Sequence, residues 1–321
     1  MENSYIEAFA CYNKNEKIRF KSSSGGVFSL IANAVLKSNG VVYAVVYDEK
    51  FNAFYRRITN VAELENSYGS KYVEAILGNT FIKVKEDLED GYSVLFIGTP
   101  CHCEGLMSFL VKNYDSLLCV DFICHGMPSK RVWRTYIENE AQKSPKIKKI
   151  NMRSKDKDWK EYGLKISTEK GIDKFESKVD NVFLRGFLRD LYLRPSCHEC
   201  RFKGIERKTD ITIGDFWGAL ELLEYEKYKD GISVVIVHSN KGLDCMASIK
   251  ENLVTFDVTT DDIILKNSGL IKSSKLTINR ERFFNRFNKG ENLKRIVYDI
   301  TGKTLISKVR IRLLKFIVNN R

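Results

Sequence analysis

The 321-residue sequence carries a net charge of +12, is 43% hydrophobic and contains eight cysteines but only four prolines. Such a length and apolar content describe one large or two interlocked folded domains, and exclude a disordered or collagen-like chain. The N-terminus, MENSYIEAFACYNKNEK, has no signal-peptide core, and nowhere do 18 apolar residues run together. The sequence therefore reads as cytoplasmic, a compartment in which cysteines lean towards metal ligation or redox chemistry and away from disulfides. Any single one of them also serves as a small buried hydrophobe.

The charge is uneven. Between Arg280 and Arg321 stand twelve Lys and Arg against three Asp and Glu. A basic tail of this kind favours an acidic partner, anionic lipid or nucleic acid. No stacking platform or recognition motif accompanies it, which argues against nucleic acid as a partner.

In chain order, residues 6–11 read as a short strand holding Cys11. Lys21-Ser22-Ser23-Ser24-Gly25-Gly26-Val27-Phe28 then opens a helix whose Phe28, Ile31, Ala32, Val35 and Leu36 share a face. The serines are candidate caps, and a helix start with free N–H groups suits phosphate; a plain capped helix is the alternative. Val41 to Tyr47 and Ala53 to Thr59 read as paired strands, and a short helix lies near 61–66. The loop Tyr68-Gly69-Ser70-Lys71-Tyr72-Val73 is either a tight turn with solvated charge or another phosphate or flavin contact.

A helix from about Thr80 leads to the strand Ser93–Ile97, which ends in Gly98-Thr99-Pro100-Cys101-His102-Cys103. A buried strand, a glycine turn and a helix is where open α/β sheets place ligands, and a helix start favours a thiolate. Leu117 to Ile123 repeats the arrangement and delivers Cys124-His125-Gly126. Two successive strand ends thus point cysteines at one sheet edge.

A helix over Lys130–Ala141 follows. Strands over 146–152 and 162–168 flank a charged connection, Arg153 to Trp159, whose charge reads as mostly solvated, with Arg153 and Lys155 as lesser phosphate candidates. Asn181 to Leu193 reads as an amphipathic helix. Pro195 to Gly218, PSCHECRFKGIERKTDITIGDFWG, opens with Cys197 and Cys200, a pair whose turn brings both sulfurs to one side of a soft metal centre. Ile232 to His238 is a β-branched strand, and Asn240 caps the next helix. The remainder is helical. Thr304 to Asn319 sets an apolar face against Lys308, Arg312 and Lys315, the pattern of either a membrane-surface helix or one docked on its own domain. The fold expected is α/β, with a mixed sheet, flanking helices, cluster cysteines at strand ends and a helical basic tail.

Four features in fixed order, SSSGGVFS, GSKY, GTPC with ICHG, and RPSCxxCxFKGxxR with DITIGDFWG, resemble the coenzyme F₄₂₀ hydrogenase/dehydrogenase β-subunit family over roughly residues 6–255. The resemblance implies an FAD-associated domain over 1–98, an iron–sulfur/flavin domain over 99–260 and a basic helical tail over 261–321. It implies an iron–sulfur flavoprotein oxidoreductase that passes electrons between a [4Fe–4S] cluster and FAD. Members act on F₄₂₀ or on chlorophyll precursors, and bacterial relatives occur among polysaccharide-biosynthesis genes. Carried over by motif, Cys101, Cys124, Cys197 and Cys200 are the cluster ligands. Ser23, Ser24, Gly25, Gly26 and Val27 form the FAD-binding loop, and Lys71, Tyr72, Asp215 and Trp217 line the flavin or substrate pocket. Many relatives carry an N-terminal ferredoxin-like domain with four cysteines. None is present in this sequence, so a separate ferredoxin-like protein is the expected electron partner, beside a small-molecule substrate. His102 and Cys103 depart from the usual GTPCQ, which leaves open whether either takes part in the cluster site. The competing reading of the four cysteines is a non-enzymatic scaffold clipped by one zinc ion, since a set of four thiolates suits both metals.

Overall fold

The computed structural model describes residues 7–143 and 146–302. Among the described residues eleven strands form two sheets. Eight of them, β1 (Glu7–Asn13), β2 (Val41–Tyr47), β3 (Ala53–Ile58), β4 (Val94–Gly98), β5 (Leu117–Phe122), β9 (Ile211–Asp215), β10 (Ser233–Val237) and β11 (Leu253–Asp257), make one sheet in the order β11-β1-β10-β9-β5-β4-β2-β3. The other three, β6 (Ile147–Ser154), β7 (Gly163–Thr168) and β8 (Asp173–Ser177), form a small antiparallel sheet. The architecture is mixed α/β, as expected.

Strand alternation explains how the large sheet is covered on both sides. Val41 and Tyr43 of β2, Val94 and Phe96 of β4, and Cys119 of β5 join one core with Trp133, Tyr136 and Phe183. Their neighbours Val42, Ala44, Leu95 and Val120 face the other side, against Val27, Ile31 and Met246. Successive side chains of a strand point to opposite faces, so a strand buried on both must be apolar throughout. VVYAVVY in β2 and SVVIV in β10 have that composition, and β10 is buried along its whole length.

The central strands β2, β4, β5 and β9 run parallel. Their C-terminal ends therefore meet at one edge, where open sheets bind ligands. β10 runs antiparallel to β9, and β1 antiparallel to β10, so Ser233 and the end of β1 reach that same edge.

Several local expectations need correction. The first long helix, Val27–Lys37, is capped by Gly26 with no side-chain bond, so the serines do not cap it. Ser239, not Asn240, caps the helix Asn240–Ile249 by accepting from the Gly242 N–H. The helix expected over 181–193 spans only Val182–Phe187, because Asp190 turns the chain at φ 58°. β8 was not foreseen. The amphipathic stretch Thr304–Asn319 lies outside the described residues. No described helix is long and apolar enough to cross a membrane.

Candidate functional site

A cleft of about 460 Å³ opens at the C-terminal edge of the parallel strands. Its wall brings together loops that are far apart in sequence: Ser22–Ser24 with Gly26 and Val27, Ser67–Val73, Gly98–Thr99, Phe122–Met127, and Ile213–Asp215 with Trp217. Of the flavin-loop and pocket residues expected from sequence, Ser23, Ser24, Gly26, Val27, Lys71, Tyr72, Asp215 and Trp217 all line it.

Gly25 lies behind the wall, and its role is steric. A Cβ there would stand 2.5 Å from the Cys11 carbonyl oxygen and 2.8 Å from the Ser233 nitrogen, so only glycine lets the loop press between β1 and β10. The Gly25 N–H donates to Ser233 Oγ at 3.0 Å, and its carbonyl accepts from the Asn13 N–H at 2.8 Å. Gly26 follows in the left-handed region at φ 83° and starts the helix without a side chain over its N–H groups. A bare helix start on a cleft wall presents partial positive charge to the cavity.

The two motif loops are joined. The Ser70 N–H donates to Ser23 Oγ at 2.6 Å, and the two hydroxyls lie 2.8 Å apart. Lys71 Nζ donates to the carbonyls of Ser67, Tyr68 and Gly69 at 3.1 to 3.2 Å. Burial pushes its pKa down to about 7, with Lys149 adding to the effect. Tyr72 stacks on Phe187 with centroids 4.8 Å apart.

In the charged stretch from Arg153 to Trp159, Asp156 and Lys157 are exposed as expected, but Arg153 and Lys155 are buried. Arg153, expected on a surface connection, is 2% exposed, and Lys155 is 5% exposed. Lys155 Nζ donates to the carbonyls of Arg19 and Asp230 at 2.6 Å and Ser24 at 3.2 Å, which saturates its three donors. Burial lowers its pKa to about 7, with Arg153 and Arg19 adding. Arg153 lines the cleft instead. Its Nη2 donates to Asp215 Oδ1 at 2.9 Å and to the Ser23 carbonyl at 3.2 Å, and its guanidinium lies 3.8 Å above the Tyr162 ring. Trp159 Nε1 also donates to Asp215 Oδ1, at 3.1 Å, while its ring stacks on Trp217 at 4.7 Å. Burial opposes the Arg153 charge, but Asp215 with Tyr72 and Tyr162 more than offsets it, holding the pKa above the ordinary value. A register shift in β6 between Asn151 and Ser154 turns Arg153 inward, an orientation a charge count does not reveal.

The four expected cluster cysteines arrive from three directions. Cys101 is exposed near the start of the helix Pro100–Leu110, its sulfur 3.1 Å from the Thr99 hydroxyl. Cys124 follows β5 on the cleft wall. Cys197 and Cys200 are part-buried on a turn, where Cys197 Sγ accepts from the Met127 N–H at 3.3 Å and the Cys200 N–H donates to Ser273 Oγ at 3.0 Å. Burial pushes the Cys124 thiol up to about 12, against the pull of Lys203 and with the push of Cys101 and Cys197. Burial also raises Cys197, opposed by the Met127 N–H and reinforced by Cys101 and Cys200. These influences link all four sulfurs. Lys203 Nζ bonds the carbonyls of Cys124 and Gly269 and feels Cys124, Cys200 and Cys197 in turn. Among the described residues no three His, Cys, Asp or Glu side chains stand together as ligands of one metal ion. Cys119 is core, 1% exposed, and Cys103 is fully buried with Sγ 3.5 Å from the Val120 carbonyl. His102 lines the cleft, its Nδ1 3.0 Å from Tyr55 Oη, and burial lowers its pKa to about 4.

Two family models match the chain: coenzyme F₄₂₀ hydrogenase/dehydrogenase, β subunit N-term, over residues 8–83, and the C terminus of the same subunit over residues 91–261. The second alone covers more than half of the sequence. The chain belongs to the F₄₂₀ hydrogenase/dehydrogenase β-subunit family. Members are redox enzyme subunits, and this chain is an oxidoreductase of that kind. No curated protein matches it significantly. Among solved structures it is similar to a chain of the F₄₂₀-reducing [NiFe] hydrogenase complex from Methanosarcina barkeri, with a TM-score of 0.58 at 16% identity, over 89% of this chain and 94% of that one. At that identity the likeness speaks for the family fold alone.

Sequence reading missed a second polar cluster inside the family fold. Asp121 of β5 accepts from Thr212 Oγ1 at 2.6 Å, the same hydroxyl lies 2.9 Å from His238 Nε2, and Arg207 Nη1 stands 3.8 Å from Asp121 Oδ2. The available signal was one carboxylate inside the apolar strand LLCVDF.

Proposed function

We propose that the chain is an iron–sulfur flavoprotein oxidoreductase. In this reading Cys101, Cys124, Cys197 and Cys200 hold a [4Fe–4S] cluster, and the cleft holds FAD. One observation carries the reading: Cys124 forms cleft wall and also lies within electrostatic reach of Cys101 and Cys197. A cysteine shared between two cofactor sites keeps the transfer distance short.

The residues present fit both groups. Four cysteines, three of them within the electrostatic reach of Lys203, are soft donors of the type iron–sulfur clusters take once ligation removes the thiol protons. The cleft has the volume of a small-molecule site, flat aromatic walls in Trp217 and Tyr72, and a buried guanidinium with an unpaired donor, Arg153 Nε. When bound, the cluster supplies electrons singly and the flavin stores two for exchange with a two-electron partner. The chain's own part is positional. The bare helix start at Gly26 and Val27 suits the FAD diphosphate, the Ser23–Ser70 contact holds the two binding loops together, and the aromatic walls orient the ring and exclude water. A ferredoxin-like protein would exchange electrons at exposed Cys101, and the small-molecule substrate would enter the cleft. F₄₂₀ is one acceptor of the required kind.

The test is anaerobic reconstitution with iron, sulfide and FAD, followed by metal, sulfide and flavin analysis. About four irons and one FAD per chain support the proposal. One zinc and no flavin would sink it in favour of a scaffold.

A further inference from the structure

We infer that Arg153 is the group that binds the electron-rich pyrimidine edge of the flavin ring, N1 and the C2 carbonyl, and that Asp215 sets how much of its charge the ring feels. The inference rests on the cleft being a flavin site. Arg153 lines the cleft, its side chain is 1% exposed, and its Nε has no hydrogen-bond partner among the described residues. A buried guanidinium donor without an acceptor is costly, and a ligand acceptor removes that cost. Its Nη2 is already committed to Asp215 and to Ser23.

The surroundings choose between the two acceptors FAD offers. Arg153 stands over Tyr162 and 5.4 Å from the Trp217 ring, with Trp159 stacked behind Trp217. Flat aromatic walls take a planar ring. The bare helix start at Gly26 and Val27 offers the phosphates backbone donors of their own, three residues along from the Ser23 carbonyl that Arg153 holds. The inward turn of Arg153 comes from the irregularity in β6, a device that re-aims side chains beside sites. Asp215 is itself held by Trp159 Nε1, so the carboxylate that tempers the guanidinium is fixed in place.

The consequence is electronic. A flavin bound here that took up two electrons and one proton would carry one negative charge, spread over N1 and the C2 oxygen. A guanidinium there stabilises the reduced form and raises the midpoint potential; charge near N1 is a recognised tuning device. Asp215 opposes it. The two residues therefore move the potential in opposite directions, which a purely structural ion pair would not do.

The experiment compares the full-length protein with Arg153→Met, Arg153→Lys and Asp215→Asn. It measures FAD and riboflavin affinity by fluorescence quenching, and the flavin potential by titration with dithionite against reference dyes. Arg153→Met is expected to weaken riboflavin and FAD alike by about tenfold or more, the scale of a charged hydrogen bond, and to lower the potential. Arg153→Lys keeps charge without the planar fork and should lose affinity with a smaller fall in potential. Asp215→Asn should raise the potential. Weakened binding of FAD with riboflavin unaffected would assign Arg153 to the diphosphate and overturn the inference. So would unchanged affinity and potential. If Arg153→Met does not fold, Asp215→Asn decides, and a potential that falls or stays put overturns the inference. Wild-type protein that binds neither flavin overturns the flavin site itself along with it.

Discussion

Two charge clusters, one bridging Arg153 of the small sheet to Asp215 of β9 and one inside the eight-stranded sheet, are built in opposite ways. At the cleft, Arg153 and Asp215 meet in a hydrogen bond of 2.9 Å, and Asp215 Oδ1 takes a second donor from Trp159. In the interior, Arg207 stands 3.8 Å from Asp121, and Asp121 Oδ2, Arg207 Nε and His238 Nδ1 have no hydrogen-bond partner among the described residues. At the first, Asp215 with Tyr72 and Tyr162 more than offsets burial and holds the Arg153 pKa above its ordinary value. At the second, burial wins: it raises Asp121 to about 6 against the pull of Arg207, and burial with Arg207 lowers His238 to about 4. Burial alone does not decide whether a group stays ionised; the closeness of the opposite charge does.

The largest effect should come from breaking the tight pair. Arg153→Met leaves Asp215 partly buried beside an apolar side chain and is expected to cost about 3–5 kcal/mol in urea unfolding. Arg207→Met should cost less, and least in acid, because Asp121 can take up a proton. A loss for Arg207→Met that equals the Arg153 loss at every pH would break the comparison.

The pH dependence sharpens it further. The raised Asp121 pKa means the folded state holds a proton the unfolded state has released, so its stability contribution is lost as pH rises from about 4 through about 6. His238 does the reverse: its stability contribution is lost as pH falls from about 6.5 towards about 4, and His102 adds in the same sense. Each shift is about two units, on the order of 3 kcal/mol, so between pH 4 and 6 Asp121 and His238 largely cancel and His102 leaves a net loss on acidification. Asp121→Asn should therefore uncover a steep loss of stability on acidification, and His238→Gln should weaken that loss. Denaturation midpoints across that range read both.

A smaller effect separates the two lysines near the cleft. Lys155→Met strands three backbone carbonyls and should cost a few kcal/mol at neutral pH. Lys71→Met loses weaker bonds in a part-exposed loop and should cost about 1 kcal/mol, seen as a small shift in melting temperature.

Much of this frame could be read from sequence because it follows from strand composition. β2, β4, β5 and β10 are near-continuous apolar runs, and cysteines placed just after two such strands had to share an edge once the strands proved parallel. Arg153 and Lys155 were misread because RSKDKD looks like a solvated loop, and their burial depends on Trp217, Tyr162 and Asp230 from distant segments. The interior cluster was missed for a similar reason. Asp121, Arg207, Thr212 and His238 are each unremarked along the chain and meet only across β5, β9 and β10. Even the helix over 182–187 ended early on a backbone angle at Asp190 that side-chain periodicity does not encode.

The central claim is that electrons pass between the cysteine group and the cleft. The direct measurement is anaerobic stopped-flow mixing of the FAD- and iron-loaded protein with a reduced low-potential ferredoxin, following the flavin absorbance band. The account predicts bleaching in the wild type, and a loss of that bleaching in a Cys197→Ser, Cys200→Ser protein that still binds FAD. Equal bleaching in the protein without iron would contradict it.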